Sequence, residues 1–74
     1  MKFDVVKDVA LILKVAPNSL NDESKLGSIA QWDSMTHIDI MLYLEKNFDI
    51  QVDEKSIEFY SDFKNIKALN SLQN

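Results

Sequence analysis

The 74-residue sequence contains no cysteine and only one glycine, one proline and one histidine. Without cysteine there is neither a disulfide nor a thiolate zinc site, and a single histidine disfavours a histidine-based metal site. Strands need turn residues between them, so the shortage of glycine and proline favours helices joined by polar loops. Because 46% of the residues are apolar, the chain can form one small core, and we expect a single domain over residues 1–74.

Basic residues are also few, eight against twelve acidic ones, which gives a formal net charge of −4. An acidic domain repels phosphate backbones and attracts basic protein surfaces, so we expect protein partners and no nucleic acid. Long apolar runs are missing too, since the stretch over residues 9–13 lies between Asp8 and Lys14. It is too short for a signal peptide or a membrane span. We therefore expect a cytoplasmic monomer that does not insert into membranes.

Apolar periodicity predicts a first helix over residues 3–15. Pro17 is expected to end it, because the residue before a proline is disfavoured in the α region. The next stretch, residues 17–32, has no helical period and is long for a loop in a compact domain, which is typical of functional loops. We expect it to be ordered, with a helical turn near residues 23–26. Four apolar side chains are expected to anchor it: Leu20, Leu26, Ile29 and Trp32.

Three further helices follow in the prediction. The second begins at Asp33 or Ser34, either of which can cap it, and runs to about residue 47. Asp53 is expected to cap a short third helix over residues 54–59, and Asn65 a last one. The apolar positions of the last helix are Ile66, Leu69 and Leu72. The predicted fold class is therefore all-α, a small four-helix bundle with a long loop between its first two helices.

The second helix is apolar over most of its circumference, which indicates that several neighbours enclose it. Its polar sector is predicted to comprise Thr36, Asp39, Tyr43, Lys46 and Asn47. Its predicted core positions are Ile38, Met41, Leu44 and Phe48. One further stripe begins beside Ser34 and follows helical spacing through Met35, Asp39, Leu42 and Lys46. This stripe is either a core edge with solvated charges or a docking face for partner proteins.

Catalytic chemistry finds little support in the sequence. Ser34 and His37 are three residues apart, so a helix would place them on neighbouring faces. A serine nucleophile also needs an oriented base, an oxyanion hole and room for a substrate, which one helix does not provide. We expect His37 to be a partly buried residue with local hydrogen bonds, and we do not expect an enzyme. With Gly27 as the single glycine, no phosphate-binding glycine loop is present.

The stretch "WDSMTHIDIMLYLEKNFDI", residues 32–50, resembles the signature of the acyl carrier proteins. It has their Asp-Ser-Leu core, with Met35 in place of leucine, followed by an apolar helix. The resemblance implies a bundle of acyl-carrier type with 4′-phosphopantetheine attached to Ser34. It also implies that Asp33 supports the attachment, and that a separate phosphopantetheinyl transferase delivers the arm. An imported thiol would account for the missing cysteine, and a helix N-terminus favours an attached phosphodiester.

By the same resemblance, the chain presents thioester-bound acyl cargo to a loading ligase and to acyl-processing or transferring enzymes of fatty-acid or specialised biosynthesis. Cargo that is sequestered would enter between the second and third helices, at Ile38, Met41, Ile57 and Tyr60. Thr36 and Lys46 stand where acids are common in the family. The stretch "EFYSDFKNIKAL", residues 58–69, is similar to D-alanyl carrier proteins, so an aminoacyl carrier is an alternative. From another class, a helical protein–protein interaction module without the arm is the second alternative.

Overall fold

The computed structural model describes residues 4–73, except for the side chains of residues 72 and 73. Within these residues the chain forms four α-helices and no strand. They are α1 (Val5–Leu13), α2 (Ser34–Phe48), α3 (Glu54–Phe59) and α4 (Phe63–Lys67). The Cα radius of gyration is 11.2 Å. A compact chain of this length is expected to have about 11 Å, so the predicted small helical globule is confirmed.

The first helix is shorter than predicted at its C-terminus. Asp4 caps it by accepting the backbone N–H groups of Val6 and Lys7, and Phe3 lies outside the described residues. The helix ends because Lys14 adopts a left-handed conformation, with φ of 61°. Pro17 was therefore wrongly expected to end it. Pro17 instead begins a separate 3₁₀ turn, Pro17–Ser19. The first position of such a turn does not use its backbone N–H, so proline, which has none, is tolerated there.

One hydrophobic core joins the helices, because α1 packs on both α2 and α4 while α3 packs on α2. Trp32 is the largest fully buried side chain, and Phe63, Leu13, Ile40, Met41 and Leu44 are buried with it. Leu44 and Met41 are thus confirmed as core positions of α2. Phe48 is only partly buried against this core. Among the described residues, no helix combines the length and the apolarity needed to span a membrane.

The long loop is ordered, as predicted. Leu20 and Trp32 are buried, and Leu26 and Ile29 pack partly against the core. Two backbone hydrogen bonds, Leu26 N–H to Ser61 O at 2.8 Å and Phe63 N–H to Ser24 O at 2.9 Å, tie the loop to the α3–α4 corner. The prediction of a helical turn at residues 23–26 was wrong, because the carbonyl of Ser24 and the N–H of Leu26 bond to the α3–α4 corner instead.

The last helix starts earlier than predicted. Phe63 is its first residue, and Asn65 lies inside it, where its side chain donates to the carbonyl of Phe59 at 2.8 Å instead of capping. Burial of the Phe63 ring explains the earlier start, since it brings this turn onto the core. Ile66 and Leu69 are buried as expected, and the side chain of Leu72 lies outside those described. A 3₁₀ segment, Ala68–Gln73, continues the chain.

Tyr43 joins α2 to α1. It was expected on the polar side of α2, but its ring is half-buried and its hydroxyl donates to Asp8 at 2.5 Å. Burial, followed by the hydrogen bond and the negative charge of Asp8, raises the pKa of Tyr43 above its ordinary value. A group whose pKa is higher in the folded than in the unfolded protein stabilises the fold at pH values below its unfolded pKa. That stabilisation is lost as the pH rises above the unfolded pKa.

Replacing Tyr43 with phenylalanine is therefore expected to cost about 1 kcal/mol of unfolding free energy at neutral pH, from the lost hydrogen bond. The stability difference between wild type and Tyr43→Phe should shrink as pH rises above about 10, the unfolded pKa of tyrosine. Urea denaturation of both proteins from neutral pH upward measures this difference. A difference that stays constant across that range would contradict the proton-linked contact.

Candidate functional site

Ser34 is the first residue of α2 and lies on the surface. The residue before it, Asp33, has an extended backbone, and its Oδ1 accepts the backbone N–H of Thr36 at 2.9 Å. The prediction that Asp33 or Ser34 caps the helix is confirmed, and Asp33 is the cap. The hydrogen bond from Thr36 lowers the pKa of Asp33 below its ordinary value, so the cap carries a negative charge at neutral pH.

Ser34 differs from the other six serines of the chain in the hydrogen bonding of its hydroxyl. The side-chain oxygen of each of the others takes part in a hydrogen bond to a nearby backbone group. These six are Ser19, Ser24, Ser28, Ser56, Ser61 and Ser71. Among the described residues, none forms a hydrogen bond with the Ser34 hydroxyl, and the side chain is exposed. Ser34 thus presents a free hydroxyl at the N-terminus of a long helix.

The predicted stripe beside Ser34 is on the surface. Met35 is 81% exposed and Leu42 is 52% exposed, with Asp39 and Lys46 also exposed. Ile38 was predicted to be a core residue, and this was wrong because its side chain is 47% exposed. We refer to Met35, Ile38, Asp39, Leu42 and Lys46 together as the α2 strip. An exposed apolar row with charges attached is typical of a docking surface.

The residues expected to admit cargo do not share one environment. Met41 is fully buried, Ile57 and Tyr60 are partly buried against the core, and Ile38 is in the α2 strip. Ile38 and Met41 are three residues apart on one helix, but one faces solvent and the other faces the core. These four side chains therefore do not form one surface, and the three pockets found in the described part of the chain are lined by other residues.

The buried side chain of His37 joins Trp32 to Ile57 through two hydrogen bonds. Its ring is 2% exposed, and Trp32, with no exposed surface, donates its indole N–H to Nδ1 at 3.0 Å. An indole N–H only donates, so Nδ1 must accept, and the ring proton lies on Nε2. Nε2 then donates to the carbonyl of Ile57 in α3 at 2.9 Å. The expectation of a partly buried histidine with local bonds was wrong, because one bond reaches across to α3.

The two hydrogen bonds of His37 also decide whether it can act as a base for Ser34. Both ring nitrogens of His37 are already hydrogen-bonded, to Trp32 and to Ile57, and neither contacts the Ser34 hydroxyl. The pair is therefore not assembled as nucleophile and base in this structure. The sequence offered one signal for the first of these hydrogen bonds. Trp32, whose indole N–H can only donate, lies five positions before His37, which can accept. The sequence offered no signal for the second hydrogen bond, from His37 to the carbonyl of Ile57.

Comparisons of this chain with models of known protein families, with curated proteins and with solved structures each found no significant match. Within the described residues there is also no cluster of histidine, cysteine, aspartate or glutamate that could hold a metal ion. The site is consequently defined by the exposed Ser34 hydroxyl, the Asp33 cap and the α2 strip.

Proposed function

We propose that this chain is a free-standing acyl carrier protein with the four-helix arrangement of that family. In this proposal Ser34 bears 4′-phosphopantetheine and the chain presents thioester-bound cargo to separate enzymes. The observation that carries the proposal is that, within the part of the chain the structure describes, Ser34 alone among the seven serines has an exposed hydroxyl without a hydrogen bond. The sequence resemblance over residues 32–50 points to the same residue independently.

The residues around Ser34 suit a phosphodiester. The N-terminus of α2 carries the partial positive charge of a helix of 15 residues, which favours an attached anion. Asp33 holds the first turn in place through Thr36, so the hydroxyl is presented at a defined position. When attached, the arm supplies the thiol that a chain without cysteine lacks.

The α2 strip supports the same proposal. It begins one residue after Ser34 and runs along the helix for about 17 Å, since each residue rises 1.5 Å over the 11 positions from Met35 to Lys46. A transferase that approaches Ser34 would meet Met35, Ile38 and Leu42 as apolar contacts and Asp39 as a charge. Carriers must leave one enzyme before they meet the next, and small apolar contacts with electrostatic guidance suit weak, fast binding.

The decisive experiment is co-expression with a phosphopantetheinyl transferase, followed by intact-mass measurement. A carrier is expected to gain the mass of one arm. No gain with a transferase that modifies a known carrier in the same host would overturn the proposal. The exposed α2 strip would then favour the interaction module that lacks the arm. Mass spectrometry of the protein from its native host would further separate acyl from aminoacyl cargo.

Asp39 is placed to guide the transferase, because it is the acid of the α2 strip and lies about one turn and a half from Ser34. Replacing Asp39 with lysine is expected to slow arm transfer at least several-fold at low salt, mainly through a higher KM. The defect should shrink as salt rises, since exposed charges are screened over about 10 Å at 0.1 M. Steady-state kinetics at two ionic strengths measures this effect.

Lys46→Glu is the matched control, because it reverses a charge at the far end of the same strip. It is expected to leave transferase kinetics unchanged or to improve them slightly. Circular dichroism should show that both variants are folded. Equal low-salt kinetics for wild type and Asp39→Lys would mean that the strip is not the surface that the transferase binds.

A further inference from the structure

An apolar groove lies between α1 and the 3₁₀ turn that Pro17 begins. It has a volume of about 230 Å³ and is lined by Lys7, Ala10, Leu11, Val15 and Pro17. None of these residues belongs to the α2 strip. Leu11 forms an open wall of the groove, because its side chain is 76% exposed. Single exposed leucines are common, but a leucine beside an apolar groove is typical of a surface that another molecule covers.

The charge beside this groove is positive. Lys7 is exposed and precedes Leu11 by four residues, so the two side chains lie on one face of α1. Among the described residues, none pairs with the Lys7 ammonium group. The neighbouring acids are engaged elsewhere, since Asp4 accepts two backbone N–H groups as the N-cap and Asp8 accepts the hydroxyl of Tyr43. The groove therefore presents an unpaired cation in a chain whose net charge is −4.

The size and openness of the groove favour a side chain of a partner protein over a separate small molecule. A cavity of about 150 Å³ holds benzene, so the groove has room for one leucine or phenylalanine side chain. Pockets for small-molecule ligands are larger, about 300–1,000 Å³, and bury most of the ligand. Because the wall at Leu11 is exposed, whatever enters the groove needs further contacts outside it. A side chain that belongs to a partner protein gains those contacts from its neighbours.

We propose that this groove binds an acidic helical segment of a partner protein, with one apolar side chain beside Leu11 and a carboxylate paired with Lys7. Lys7 and Leu11 are one helical turn apart, so a helix that lies along α1 matches them when its own acid and apolar anchor are three or four residues apart. Lys14, which is exposed directly after α1, adds positive charge at the same end. The inference is independent of the proposed function, because it uses neither Ser34 nor the α2 strip.

The first test selects helical peptides from a display library that is randomised on one face. The library is first depleted on the Leu11→Gln variant of the 74-residue chain, which removes peptides that bind any other surface. Glutamine suits this depletion because it preserves helix propensity and adds no charge. Peptides are then enriched on the wild-type chain. We expect them to carry an apolar residue with aspartate or glutamate three or four positions away.

The sign of the selected charge is the decisive result of this selection. A chain with a net charge of −4 attracts basic peptides through its overall field, so non-specific binding would enrich lysine and arginine. Enrichment of acids requires a local positive site. If no peptide is enriched after the depletion, or if the enriched peptides are basic, the proposal is wrong.

The second test measures the affinity of one enriched peptide for variants that circular dichroism shows to be folded. Lys7→Glu is expected to weaken binding at least about three-fold at low salt, and the loss should shrink as salt rises. Lys46→Glu is the matched control, because it makes the same change of net charge on the α2 strip, and its effect should be much smaller. Ser34→Ala should bind the peptide as wild type does, whether or not the chain accepts an arm. Equal losses in Lys7→Glu and Lys46→Glu, or no loss in Lys7→Glu, would overturn the pairing with Lys7.

Discussion

Replacing Ser34 with alanine is expected to abolish arm attachment while leaving the protein folded. The hydroxyl is the only part of the side chain that the arm would use, and no described residue bonds to it. The helix keeps its cap, because Asp33 and not Ser34 accepts the N–H of Thr36. Alanine is also the best helix former, so the unfolding free energy should change by less than about 0.5 kcal/mol.

Intact mass after incubation with transferase and coenzyme A measures the loss, and chemical denaturation checks the fold. Ser19→Ala is the matched control, since Ser19 is exposed but its hydroxyl donates to the carbonyl of Ala16 at 2.6 Å. That variant should be modified as completely as wild type. An arm that persists in Ser34→Ala, mapped by peptide analysis to Ser19, Ser28 or another serine, would refute Ser34 as the attachment site.

The largest expected loss of stability comes from Leu44→Ala. Leu44 has no exposed surface and packs in the core beside Met41 and Ile40 on α2. Truncation removes buried methyl groups and leaves a cavity, which costs about 2–5 kcal/mol. Since small domains have about 5–15 kcal/mol in total, this is a large share of the unfolding free energy. Urea denaturation monitored by the fluorescence of Trp32 measures it.

Ile38→Ala is the control for Leu44→Ala on the same helix. The sequence suggested equal burial for both positions, but Ile38 is in the exposed α2 strip, so its truncation should cost less than about 1 kcal/mol. A cost for Ile38→Ala as large as that for Leu44→Ala would show that Ile38 packs against the core in solution. The α2 strip would then lose one of its three apolar members.

Local patterns in the sequence determined much of this structure. The bounds of α3 and its cap at Asp53 were predicted correctly, and the cap of α2 was narrowed to Asp33 or Ser34, of which the structure has Asp33. Each depends on a side chain that accepts an N–H within three residues, so no distant contact is required. The exposure of Met35, Leu42 and their charged neighbours was left open between two readings, and the structure places them at the surface.

Tertiary contacts decided the rest. The apolar arc of α2 covers most of its circumference, so the pattern alone could not tell which side is covered, and Ile38 lies on the side that stays exposed. The start of α4 was set by burial of Phe63 against the core rather than by Asn65. The partner of His37 Nε2 lies twenty residues away, at Ile57. Periodicity and capping describe a helix by its own residues, whereas these three features depend on which other part of the chain packs against it.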